Sequence, residues 1–285
     1  MRTNPPLSGR RVLITGAARG IGAALAQRLH DAGAHVALAG LETDLLAKVA
    51  ESCGDAPWAP CDVSSRSQVD DAVGSLVERL GGLDVVVANA GIAAQLPIIG
   101  GDPRVMERTV GVNLLGTYYT MRAAGPHISH PGGYALAIAS LAAAVNLPML
   151  SAYSASKAGV EALGNTLRSE LRSSGAKVGV AYFSELDTDM TSRGFGTEAA
   201  KKIAFAKVLR VAPLEVGIAS LERGIARRSK RIVAPWWVAG VLPIRMVAQP
   251  LMDRVAQRGL DDALRVAREE DAPLTTPQPD EMTNA

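Results

Sequence analysis

Two side chains four residues apart, Tyr153 and Lys157, share one face if the segment around them is helical. A phenol near its reference pKa of ~10 is a poor base at neutral pH. An ammonium beside it favours the phenolate and brings proton exchange within reach. Ser140 ends an apolar run thirteen residues earlier. A second pattern stands near the start, where Thr15-Gly16-Ala17-Ala18-Arg19-Gly20-Ile21-Gly22 joins an apolar run to a helical stripe. Its glycines permit a tight turn and let backbone N–H groups approach a diphosphate at the helix N-terminus. The spacing is G-x-x-x-G-x-G rather than G-x-G-x-x-G, and a plain tight turn is the competing reading.

These groups need a scaffold, and the periodicity supplies one. Apolar runs at 11–15, 35–39, 84–88, 134–139 and 178–183 lack polar alternation, as strands buried on both sheet faces do. Helical stripes lie between them: Ile21, Leu25 and Leu29; Val69, Val73, Leu76, Val77 and Leu80; Val160, Leu163, Leu167 and Leu171. Ser65 with Gln68 reads as a capping box. Alternating strands and helices predict an α/β fold, a doubly wound, mostly parallel sheet with helices on both faces in a single domain. Residues 1–7 read as an N-terminal arm and 8–235 as the dinucleotide-binding and catalytic domain. Within it, 184–212 is a helical, mobile excursion, followed by a helix over 213–226 and a last strand at 231–234. Residues 236–270 form an apolar, helical extension. A tail rich in Pro, Thr, Asp and Glu from 271 to 285 is expected to be disordered.

Asn89-Ala90-Gly91 after the fourth strand, Asn113 in a later helix, Ser140 and Tyr153-Ser-Ala-Ser-Lys157 follow the glycine turn in order. Together they resemble the short-chain dehydrogenase/reductase family over about residues 8 to 235. The resemblance implies a Rossmann-type fold and a nicotinamide cofactor. It makes Tyr153 the general acid/base, Lys157 its partner and a ligand of the nicotinamide ribose, Ser140 the group bonded to the substrate oxygen, and Asn113 part of a water-borne proton relay to Lys157. It assigns Gly16, Ala18, Arg19, Gly20, Ile21 and Gly22 to the cofactor turn. Asp62 would accept from the adenine amino group, with Val63 supplying backbone contact. Asn89 would stabilise the central sheet, with Ala90 and Gly91 against the cofactor. Thr188 would hold the nicotinamide carboxamide.

The chain departs from the family pattern twice. Phe183-Ser184 stands where Pro-Gly is usual, and Pro235-Trp236-Trp237 where Gly-Gly is usual. The first bears on how the nicotinamide is seated, the second on the family's tetramer contacts. For the cofactor, Gly40 stands where NAD-preferring relatives carry Asp, and Arg19 can pair with a 2′-phosphate. Leu41 replaces a second basic residue, and Glu42 could reach the ribose instead. The balance leans to NADP(H) over NAD(H).

With 30 Lys and Arg against 28 Asp and Glu, the net charge of +2 excludes a nucleic-acid binder that works by bulk charge. Aromatic residues at 4% leave little for base stacking. Two cysteines, Cys53 and Cys61, build neither a disulfide framework nor a four-thiolate zinc site, and His127 with His130 lacks a partner cluster for metal. The start lacks a secretory signal's apolar core and no apolar run reaches the ~18–20 residues that span a bilayer, so a cytoplasmic protein is expected. The substrate is expected to be a small carbonyl or alcohol. Leu147, Pro148, Met149 and Phe195 in the 141–151 loop and the excursion suggest a lipophilic one, steroid-like, retinoid-like or fatty-acyl. Arg227, Arg228, Lys230 and Arg231 before an apolar run with Trp236 and Trp237 raise a peripheral membrane contact through 227–244. A final strand with a homo-oligomer contact is the favoured reading of that segment. Two rival functions stand beside the oxidoreductase: a dinucleotide-binding regulatory or scaffold protein without catalysis, and an isomerase or epimerase on the same fold.

Overall fold

A computed structural model of the protein describes residues 7–194, 197–202, 211–270 and 274–275. Seven parallel strands form one sheet in the order β3-β2-β1-β4-β5-β6-β7. They are β1 (Arg11–Thr15), β2 (His35–Gly40), β3 (Trp58–Pro60), β4 (Val85–Ala88), β5 (Tyr134–Ile138), β6 (Lys177–Phe183) and β7 (Arg231–Ala234). The runs of the first two-thirds and the last strand lie where the apolar pattern put them. β3 is the exception: three residues, Trp58-Ala59-Pro60, give no periodic signal, and only pairing with Leu38, Ala39 and Gly40 of β2 makes them a strand.

Both faces of the sheet are covered, which is why the strands read as unbroken apolar runs. One core gathers Val12, Ile14, Leu25, Leu29 and Leu38, and packs α1 (Gly20–Asp31), α2 (Thr43–Ser52) and α9 (Leu214–Arg227). The other gathers Leu13, Val69, Val73, Leu76, Val86 and Val160 under α3 (Arg66–Leu80), α5 (Gly116–Ile128) and α6 (Ser151–Glu170). At the start of α3 the capping box is one-sided. Ser65 Oγ accepts from Gln68 N at 3.5 Å, but the Gln68 side chain accepts from Asp62 N instead of reaching back to Ser65.

Between α4 (Pro103–Val110) and α5 the chain makes one wide π turn, Gly111–Leu115. The excursion contains α7 (Asp189–Gly194) and α8 (Glu198–Lys202), with backbone pairing of Leu186 and Ala212 across its base. Phe195, Gly196, Lys207 and Arg210 lie outside the described residues. After β7 come α10 (Val238–Val241), α11 (Arg245–Ala256) and α12 (Leu260–Glu269). The extension clamps the excursion. Ala263 and Ala267 of α12 pack on Ala199 of α8 and on Met149, and Glu270 accepts from Glu198 N and Ala199 N at 3.0 and 3.1 Å.

Within the tail the structure describes two residues, 274 and 275. Leu274 packs on the second core, and Thr275 exchanges hydrogen bonds with Ala93, its N–H to the carbonyl at 3.1 Å and its hydroxyl accepting from Ala93 N at 3.0 Å. A polar composition hid an apolar anchor and an otherwise unpaired loop N–H. Residues 1–6, 271–273 and 276–285 lie outside the described residues. The basic cluster and the tryptophans are also separated. Arg227, Arg228 and Lys230 precede β7, Arg231 opens it and Trp236 follows it, so the basic cluster and the tryptophans stand at opposite ends of the strand. Among the described residues no helix is long and apolar enough to cross a membrane.

Candidate active site

In a doubly wound sheet a ligand sits beyond the carboxyl ends of the strands, where the strand order reverses. Here that point lies between β1 and β4, and a cavity of about 600 Å³ opens there. One end is lined by Gly16, Ala18, Arg19, Gly20, Ile21, Gly40, Leu41, Glu42, Cys61, Asp62 and Val63, the middle by Asn89, Ala90 and Gly91, and the other end by Ser140, Tyr153, Lys157 and Thr188. Gly22 stands just behind the turn.

The glycine turn is shaped by close backbone approach. Gly16 takes φ +64°, and a Cβ there would lie 2.6 Å from Ala90 Cα; one on Gly22 would lie 2.2 Å from Gly16 O. Asn89 locks the turn from below, its Nδ2 donating to Thr15 O and Gly16 O at 3.0 Å each. The first turn of α1 carries no side-chain cap and no acidic residue. Its leading N–H groups and the positive end of the helix are therefore available to an anion. The cradle fits a dinucleotide diphosphate.

Arg19, the residue before α1, donates from Nε and Nη2 to Glu42 at 2.8 and 2.6 Å, and from Nη1 to Asp189 at 3.4 Å. Asp62 lies on the adjoining wall. Burial opposes its charge, but hydrogen bonds from Arg108 and Ser64 outweigh that and hold the carboxyl below the usual range. Burial pushes the Cys61 thiol up to about 12, so it meets the cavity as a neutral thiol.

At the far end, Ser140 follows β5 and its Oγ accepts from Ala142 N at 3.1 Å and donates to Phe183 O at 3.4 Å. Tyr153, on the first turn of α6, is hydrogen-bonded to Ser140. Burial raises its phenol pKa, and the Ser140 bond pulls the other way. Lys157, one turn on, lies 5.7 Å from the Tyr153 ring centre and donates to Ile138 O at 2.8 Å. Burial lowers its ammonium to about 8, still largely charged at neutral pH.

Asn113 sits in the π turn, a distortion common where a helix serves a site. Its side chain is fully used: Oδ1 accepts from Ile92 N at 2.8 Å, and Nδ2 donates to Ile92 O and Ser156 Oγ at 3.0 Å each. It ties the loop after β4 to α6 and so fixes Lys157. A Cβ on Gly91 would stand 3.3 Å from both Asn113 Oδ1 and Lys157 Nζ, so glycine keeps that approach open. Thr188 Oγ1 donates to Leu186 O at 3.4 Å at the start of the excursion.

Of the lipophilic candidates, Leu147 lines the cavity, while Met149 is buried beside α8 and α12. The sequence reading missed the opposite wall. Ile244, Val247, Ala248, Leu251 and Met252 line the cavity from the segment around α11, with Trp237 and Val241 before it and Thr275 after it. Their three- and four-residue spacing was the available signal. Glu185, also on the wall, carried none.

Over residues 10–199 the chain matches the short chain dehydrogenase family. It is 37% identical over 202 residues to glycine betaine reductase of Emericella nidulans, covering 69% of this chain but only 16% of that protein's length. It is 34% identical to trans-4-hydroxycyclohexanecarboxylate dehydrogenase of Sinomonas cyclohexanicum, covering 68% of this chain and 80% of that one. A dehydrogenase/reductase from Sinorhizobium meliloti superposes with a TM-score of 0.70 at 28% identity, covering 81% of this chain and 95% of the other. The likeness in sequence and in fold meets on the strand ends that build this cavity, and the chain belongs to the short-chain dehydrogenase/reductase family of oxidoreductases.

Proposed function

We propose that the protein interconverts a lipophilic secondary alcohol and its ketone, with Tyr153 as general acid/base. The observation that carries this is one cavity wall on which Ser140 bonds Tyr153 and Lys157 lies a helical turn away. The α1 N-terminus and Thr188 would hold a nicotinamide dinucleotide, which would supply or accept the hydride. Tyr153 gives its phenolic proton to the forming alkoxide, or takes it from an alcohol. The Ser140 hydroxyl donates to the same substrate oxygen and steadies its developing charge. The Lys157 ammonium favours the phenolate that results, and with the Asn113 backbone would pass the proton onward through water. Leu141, Val145, Leu147, Leu150, Val247 and Leu251 keep water from the remainder of the substrate and suit an apolar body.

Arg19 beside Gly40 supports NADP(H) over NAD(H), since no carboxylate ends β2 and a guanidinium faces the nucleotide end. Glu42 narrows the margin by occupying that guanidinium. The exposed Trp236 and Met246 suit a contact between copies of the chain better than a membrane contact, because the basic cluster stands at the other end of β7.

Parallel fluorescence titrations with NADPH and NADH, followed by turnover of a cyclic ketone panel, test the reading. Binding of at least one cofactor and oxidation of it by a ketone are expected. Binding of neither overturns the proposal and favours the non-catalytic alternative.

A further inference from the structure

Glu185 lines the cavity, and among the described residues its carboxyl has no partner. It stands two residues beyond β6, whose last carbonyl, Phe183 O, accepts from Ser140 Oγ. Its backbone is fixed, with Ala212 N donating to Glu185 O at 2.9 Å and Asp187 N to Ala212 O at 2.8 Å. The next side chain, Leu186, turns into the core, where it would meet a Cβ on Gly217 of α9. Glu185 itself lines the cavity, whose wall also includes Leu141, Val145, Trp237 and Val241.

The other cavity carboxylates are answered by arginine: Glu42 and Asp189 by Arg19, Asp62 by Arg108. Lys157 gives one of its N–H groups to Ile138 O and none to Glu185. Among the described residues nothing donates to the Glu185 carboxyl, and burial alone acts on it, raising its pKa. A half-buried carboxyl kept without a donor costs stability, which a ligand supplying the donor would recover.

We propose that Glu185 recognises a hydrogen-bond donor on the substrate, best a cationic nitrogen on an otherwise apolar carbonyl or alcohol, and that it rejects carboxylates. The inference rests on the oxidoreductase reading and adds the polarity of the substrate. Two sources could supply such a donor, the substrate or the carboxamide NH2 of the nicotinamide, and the proposal commits to the substrate.

The test measures binding to the cofactor-loaded protein, and so needs no knowledge of the natural substrate. Three probes of similar size are compared by calorimetry: 4-butylcyclohexylamine, 4-butylcyclohexanol and 4-butylcyclohexanecarboxylate. In the unaltered protein the amine should bind at least ~10-fold more tightly than the carboxylate, or about 1.4 kcal/mol. Glu185→Gln should shrink that gap below ~3-fold while cofactor affinity stays within ~2-fold. Glu185→Leu is a second variant, in which the alcohol should bind as well as the amine. Equal binding of amine and carboxylate by the unaltered protein overturns the proposal. So does a Glu185→Gln variant that loses cofactor affinity and keeps the probe ranking, for the carboxyl then serves the carboxamide. A protein that binds neither cofactor refutes the oxidoreductase reading itself, and this inference with it.

Discussion

Arg19 and Glu42 join the N-termini of two helices. Arg19 immediately precedes α1, Glu42 immediately precedes α2, and two hydrogen bonds of 2.8 and 2.6 Å pair the guanidinium with the carboxylate. A 2′-phosphate would share Arg19 with Glu42, whose carboxylate competes for the guanidinium. Arg19→Ala should therefore weaken NADPH at least ~10-fold and NADH less than ~2-fold. Glu42→Gln should tighten NADPH by freeing the cation. Equal losses of both cofactors in Arg19→Ala, read by fluorescence titration, would remove Arg19 from cofactor selection.

Proton transfer and oxyanion stabilisation separate by substitution. Tyr153→Phe keeps the ring and should lower kcat by about 10²–10⁴-fold. Ser140→Ala should lower it by about 10²–10³-fold. Both should bind cofactor as the unaltered protein does. A Tyr153→Phe variant with full activity would sink the acid/base assignment.

Lys157 should leave its mark on stability as well as on rate. Its folded pKa of about 8 lies below the ordinary ~10.4, so the unfolded chain binds more protons between those values. Stability of the cofactor-free protein should therefore rise with pH from about 8 toward 10, and below about 8 burial costs on the order of 3 kcal/mol. Lys157→Met should flatten that rise and raise Tm at pH 7. Denaturation midpoints across pH 7–9.5 check this, and parallel curves for the two proteins would refute it.

Trp236 and Met246 are each 84% exposed. If they contact a second copy, Trp236→Asp with Met246→Asp should lower the molar mass seen by light scattering. Flotation with anionic phospholipid vesicles should leave the protein at the bottom of the gradient. Flotation that the double substitution abolishes would reverse this choice in favour of the membrane.

The sequence by itself determined the strands buried on both faces, because a run such as Val85-Val86-Val87-Ala88 has one stable place in an α/β domain. It determined the glycine turn and the Tyr153–Lys157 pair as well, because a βα turn and a helical repeat are local geometry. The doubly wound order was legible through alternation of periods. Only the tertiary structure decided the rest. β3 exists because β2 offers an edge to Trp58-Ala59-Pro60, and Leu274-Thr275 is ordered because Ala93 has an N–H to satisfy. The placing of the α11 wall on the cavity and the Arg19–Glu42 pair, 23 positions apart, join distant residues, and Glu185 has no local pattern. Such contacts are fixed by the packing of whole elements, which no window of sequence contains.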